Sequence, residues 1–191
     1  SAYWRSTVMA VSRSVADSTA LTLPTFTTVT GTPASPPLGI SSDGFTVYIF
    51  YATDGIYTTN SGTGAATATV TGSLEGGAWV NGRLFAWKDN LLYNVVTLSG
   101  ALPSVSLTQS NANFTWVGAA AAGGFYYLAG FSGDKSLIYS VAVKQDGTAL
   151  DTFLVAGQLP DGEIVRAIYG YLGFILIGSD KRKAGVQQIL L

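Results

Sequence analysis

The stretch GRLFAWKDNLLYNVV, Gly82 to Val96, holds two apolar, aromatic-rich runs separated by Lys88-Asp89-Asn90. Branched, aliphatic and aromatic residues favour strands. An Asp-Asn pair tolerates positive φ and hydrogen-bonds its own backbone, so the chain can reverse tightly there. The stretch reads as a β-hairpin, and it has relatives. FTVYIFYATDGIYTTN starts at Phe45 and GFYYLAGFSGDKSLIYSVAV at Gly124, with turns at Thr53-Asp54-Gly55 and Ser132-Gly133-Asp134-Lys135. In each unit a strand, an Asp-bearing turn and a second strand follow one another, and the second strand carries Tyr57, Tyr93 or Tyr139.

These tyrosines lie 36 and 46 residues apart, a spacing that fits four-stranded propeller blades of about 40–50 residues. The segments AATATVTGS, ALPSVSLTQ and DTFLVAGQLP supply the missing strands, each leading from the outer strand of one blade to the inner strand of the next. A weaker fourth copy, YGYLGFILIGSDKRKAGVQQILL, is expected to have a strand over Tyr171–Ile177, a turn around Gly178-Ser179-Asp180, and a second strand from Gly185 with Val186 in the tyrosine position. The run FTWVGAAAAGGFYYLAGF, Phe114 to Phe131, approaches the length of a membrane span, but its internal Gly-Gly makes it two strands joined by a tight turn. No segment shows sustained 3.6-residue periodicity with caps. The expected fold is all-β, a propeller-like array of about four antiparallel blades over residues 41–191, incomplete or completed by other protein. Residues 1–40 read as an N-terminal strand with a Thr/Pro-rich connector or arm: an outer strand of a preceding blade, a clasp, or an arm reaching another subunit. Ser1 replaces an initiating Met, and Arg5 and Arg13 interrupt the opening run before it reaches signal-peptide length, so the start reads as processed or cut from something longer.

Composition closes off much chemistry. Charged residues make up 11% of the 191-residue chain, against roughly 25% in a typical globular protein. The net charge is −1, so there is no basic field to hold a phosphate backbone and nucleic acid is not an expected partner. With neither His nor Cys, Ser-His and Cys-His nucleophiles, disulfides and the common zinc ligand sets are unavailable.

Each remaining motif has a structural reading. Asp54, Asp89 and Asp134 are turn residues rather than catalytic acids. In LPDGEIVRAIYG, Asp161 and Glu163 beside Arg166 offer a carboxylate pair, but Pro-Asp-Gly is first a turn signal. KQDGTALD, with Asp146 and Asp151, lacks the alternating oxygen ligands of a calcium loop and reads as a hairpin. SSDGFTVY resembles the Asp-box of sialidase-like propellers, yet Phe45 stands where that motif has Gly. DKRK, Asp180 to Lys183, reads as a solvated turn. Trp79, Trp87 and Trp116 sit at repeat-like positions, which favours packing between blades over a sugar-binding platform. No catalytic, cofactor-binding or metal-ligating residue is assigned, and no cofactor is expected.

The phrases GAWVNGRLFAWKDNLLYNV, FTWVGAAAAGGFYYLAGFSGDKSLIYSVAVKQDGTAL and LPDGEIVRAIYGYLGFILIGSDK resemble propeller-type regions of minor tail and baseplate proteins of long-tailed actinobacterial phages, over roughly Gly76–Ile189. The resemblance implies a non-enzymatic virion component of the tail tip, a rigid scaffold holding fibres or receptor-binding modules. Its partners would be other virion proteins, or further copies or segments of itself, with a host surface glycan as an additional one and without membrane insertion. The alternatives are a carbohydrate-binding propeller and a glycan hydrolase using carboxylates alone. An open array leaves strand edges unpaired, so the last strand GVQQILL, with Val186, Ile189, Leu190 and Leu191, is expected to be covered by further protein. The chain is accordingly not expected to act as a free monomer.

Overall fold

A computed structural model describes residues 28–60, 64–145 and 149–180 in full, and residues 185–190 as backbone. The described residues form fifteen strands and no helix, so no helix among them is long and apolar enough to cross a membrane. The strands make four antiparallel sheets, each meandering in chain order. The first blade is β1 (Gly39–Ser42), β2 (Thr46–Tyr51), β3 (Gly55–Asn60) and β4 (Thr67–Val70). The second is β5 (Gly76–Val80), β6 (Arg83–Lys88), β7 (Leu91–Val95) and β8 (Leu107–Thr108). The third is β9 (Thr115–Ala122), β10 (Phe125–Ser132), β11 (Lys135–Val141) and β12 (Leu154–Gln158). The last sheet has β13 (Ile164–Tyr171), β14 (Phe174–Asp180) and β15 (Gly185–Leu190). This is a propeller-like all-β array, beginning at Gly39, two residues inside the expected arm.

Tyr57, Tyr93 and Tyr139 fall on β3, β7 and β11, the third strand of their blades, opposite Ile49, Ala86 and Leu128. The Asp-bearing turns lie where expected, with positive φ at Gly55, Asp89 and Gly133. Each blade also has an inner turn between its first two strands. Three of these are two-residue turns with both residues at positive φ: Asn81-Gly82, Gly123-Gly124 and Leu172-Gly173, the geometry whose twist matches a hairpin. The last of them corrects the expected strand Tyr171–Ile177: the chain reverses at Leu172-Gly173, inside that run. Gly178, Ser179 and Asp180 are not a turn but the end of β14, paired to Ala167, Val165 and Ile164. Residues 181–184, the side chains of Val186 to Leu191, Asp146 and most of the N-terminal arm fall outside the described residues.

The second strands explain why the sequence shows near-continuous apolar runs. On β6, Leu84 and Ala86 pack toward the first blade with Tyr48, Phe50, Ile56, Val70 and Val95. Phe85 and Trp87 pack toward the third blade with Leu92, Phe114, Trp116, Tyr126 and Leu128. On β10, Tyr127 and Ala129 face the last sheet, meeting Val165, Ile175 and Ile177. Successive side chains point to opposite faces of a strand, so a strand between two blades must be apolar at every position. Hydrogen bonds reinforce the blade contacts. Buried Ser136 Oγ donates to the Glu163 carbonyl at 2.7 Å and accepts from the Val165 amide at 2.9 Å, and Ser41 Oγ accepts from the Trp79 amide at 2.9 Å.

Candidate functional site

The inner strands β1, β5, β9 and β13 line a central cleft. One end, about 500 Å3, is bordered by their first residues, including Gly39, Gly76, Trp116 and Ala167. The other, about 690 Å3, is bordered by their last residues, including Ser42, Asn81, Gly124 and Gly170. Gly and Ala supply about half of the lining residues, and larger side chains such as Trp87, Trp116 and Ile168 at the first end and Trp79 and Tyr169 at the second supply much of the rest.

Two charged residues border the first end. Glu75 Oε2 accepts a hydrogen bond from the Asp89 amide at 2.8 Å, tying the second blade's inner connection to its outer turn. Arg166 pairs with Asp180 at 3.2 Å in an exposed ion pair and lies 5.5 Å over the Phe131 ring. No charged residue borders the second end.

Asp161 and Glu163 border neither end. Pro160-Asp161-Gly162 is a turn, closed by the Glu163 amide donating to the Pro160 carbonyl at 3.0 Å, with Gly162 at φ +83°. Gln158 Nε2 donates to Asp161 Oδ1 at 3.4 Å. Asp54 accepts from Ser35 and Thr53 hydroxyls, and the Asp134 carbonyl accepts from the Gly162 amide. Asp151 lies next to an antiparallel bridge between Val143 and Leu150, and its amide donates to the Ala142 carbonyl at 2.9 Å. Among the described residues no three acidic side chains are placed to hold a metal ion.

SSDGFTVY forms the β1–β2 turn. Asp43 accepts from the amides of Thr46 at 2.7 Å and Phe45 at 2.8 Å, and from the Tyr48 hydroxyl at 2.8 Å. These bonds, the Thr46 amide first, hold its carboxyl below the usual value of 3.8. A depressed folded-state pKa gives stability that is present above the unfolded value and lost as pH falls through the folded one. Asp43→Asn is therefore expected to flatten the dependence of stability on pH below about 4, checked by denaturation midpoints at a series of acid pH values. Unchanged acid dependence would contradict the turn assignment.

Trp87 and Trp116 are buried between the second and third blades, and Trp79 is half-buried against the first. Of the exposed large side chains, Phe45, Phe125, Tyr171 and Leu172 stand in or beside inner turns and Tyr169 borders the second end of the cleft, forming an apolar rim there, while Leu38, Ile40, Val96, Leu98, Val105, Leu154 and Val155 are exposed elsewhere. Sequence reasoning missed this rim. Its signal was the position of each residue next to an inner turn, in DGF, GGF and YLG.

No protein-family model and no curated protein matches the chain. Among solved structures it is similar to the crystal structure of Myxococcus xanthus glutaminyl cyclase, at 16% identity and a TM-score of 0.45, over 80% of this chain and 72% of that one. A likeness of that size carries no activity across.

Proposed function

We propose that the chain is a non-enzymatic scaffold or interaction module of a virion, a component of a phage tail tip or baseplate whose partners are other virion proteins or copies of itself. The observation that carries this reading is where the aromatic residues stand. Trp87 and Trp116 hold blades together, whereas Phe45, Phe125, Tyr171 and Leu172 stand exposed at inner turns and Tyr169 is exposed on the lining of the cleft end bordered by no charge. Interface cores are depleted in charge and enriched in aromatic residues, and clustered exposed apolar residues mark contact surfaces.

Two measurements test it. The chain should be recovered in fixed stoichiometry from purified phage particles, and its absence from them would overturn the virion assignment. It should also show no turnover of bacterial cell-wall polysaccharides. Turnover abolished by Asp161→Asn or Glu163→Gln would make it a hydrolase instead.

The same rim favours one second reading, a neutral glycan bound at the cleft's mouth, since aromatic faces stack on sugar rings. Saturable glycan binding lost in Tyr169→Ala would select it over a protein partner.

A further inference from the structure

A separate cavity of about 530 Å3 lies between the second and third blades. Its walls come from the β5–β6 turn at Asn81-Gly82, from Arg83 and Asn94 on the second blade, and from Tyr126 and Val143 on the third. Strand register aims two polar side chains into it. On β7, Leu92 packs toward the third blade, and Asn94, two residues further on, shares that face. Asn94 stands opposite Phe85, and Arg83 precedes Phe85 by two residues on β6, so Arg83 and Asn94 are diagonal neighbours on one face. Tyr126 faces them from the third blade. Its ring meets Phe85 edge-on at 5.4 Å, and its hydroxyl donates to the Asn81 carbonyl at 2.8 Å.

Asn94 is 9% exposed. Its backbone amide donates to Ser106 Oγ at 3.1 Å, yet its side-chain carboxamide has no hydrogen-bond partner among the described residues. The carboxamide is not sealed in, as the unpartnered Trp116 indole N–H is, but opens on the cavity that Asn94 borders. The equivalent positions in the first and third blades hold small hydroxyls, Thr58 opposite Tyr48 and Ser140 opposite Tyr127, both half-buried. Of these three blades, only the second places a buried amide there. A buried amide without a partner is costly to the fold, and a ligand oxygen that accepts from it removes that cost.

We propose that this cavity binds a small organic carboxylate. A carboxylate oxygen accepts from Asn94 Nδ2, the Arg83 guanidinium supplies positive charge on the same wall, and the organic body lies against Val143, Val96 and the Tyr126 ring. The carboxamide alone would suit any carbonyl oxygen; the charge of Arg83, with no described acidic residue on the lining, selects an anion. The volume is within the range of small-molecule sites, which combine apolar walls with a few converging polar groups. The site goes beyond the scaffold reading and does not rest on it.

Benzoate and benzamide, alike in shape and different in charge, are the probes, titrated into the 15N-labelled full chain. Benzoate is expected to shift the Asn94 side-chain amide resonances saturably, together with the backbone amides of Gly82 and Val143. Benzamide should bind about ten-fold or more weakly, and benzoate should weaken by a similar factor in Asn94→Leu, the scale of one hydrogen bond to a charged group. Equal binding of the two probes would overturn the carboxylate assignment. No saturable shift at Asn94, or a benzoate titration unaltered by Asn94→Leu, would overturn the site. The fold supplies an independent readout: Leu is close to Asn in shape and the substitution breaks no bond, so the denaturation midpoint of Asn94→Leu should be no lower than that of the unsubstituted chain. A lower midpoint would mean that the carboxamide has a structural partner, and would overturn the proposal as well.

Discussion

Trp116→Ala is expected to destabilise the chain by about 3–5 kcal/mol, the range for truncating a large buried aromatic, read as a lower denaturation midpoint at unchanged m-value. Trp116 is 2% exposed. Its ring lies 4.9 Å from Phe114 and 5.5 Å from Tyr139, edge-on or tilted, and its amide donates to the Asp89 carbonyl at 3.3 Å. It therefore joins the third blade's inner strand to the second blade's outer turn. Its indole N–H is buried without a protein partner, so Trp116→Phe removes no hydrogen bond. That variant should lose only about 1–2 kcal/mol, for the smaller ring. If Trp116→Ala lost less than about 1 kcal/mol, the second and third blades would not be held together by this cluster, since surface substitutions stay near that size.

The large penalty follows from features that the sequence makes partly legible. The three outer hairpins could be read because their turn chemistry is local: Asp54-Gly55, Lys88-Asp89-Asn90 and Gly133-Asp134 supply positive φ or side-chain acceptors within the turn itself. The tyrosines then mark equivalent strands, and Trp87 and Trp116 fall between blades as their repeat positions suggest. The last inner turn could not be read in the same way. Leu172 sits at φ +47°, a conformation that a bulky residue seldom adopts, and only its equivalence to Asn81 and Gly123 betrays it. Taking Tyr171–Ile177 as one strand moved the whole last hairpin forward, so that Gly178-Ser179-Asp180 was expected to be the turn.

The candidate site was less legible than the fold. A cleft lined by Gly and Ala with scattered larger side chains has no motif, because residues from four distant strands converge only after the blades assemble. Asp43 illustrates the converse. SSDGFTVY looked like part of a known motif with one position wrong, and its Asp proved to be fully engaged in the β1–β2 turn. The apolar rim was written in single residues flanking turns, where no periodicity reveals them.

Gly170→Ala is expected to cost about 3 kcal/mol or more, at the upper end of overpacking effects, whereas Gly118→Ala should cost about 1. Both glycines lie on inner strands and face a neighbouring strand across the cleft wall, yet what their Cβ would meet differs. At Gly170 it would stand 2.1 Å from the Ala121 carbonyl oxygen. Ala121 is held in the β9–β10 ladder opposite Tyr126, and Gly170 in the β13–β14 ladder opposite Ile175. Neither backbone can retreat without breaking its own hydrogen bonds, so the third blade and the last sheet must separate. At Gly118 the added atom would meet Ile168 Cγ2 at 2.9 Å, a side-chain methyl that a small rotation can move aside. Equilibrium denaturation of the two variants side by side measures the difference. Equal stabilities would mean that β9 and β13 stand further apart than this contact allows.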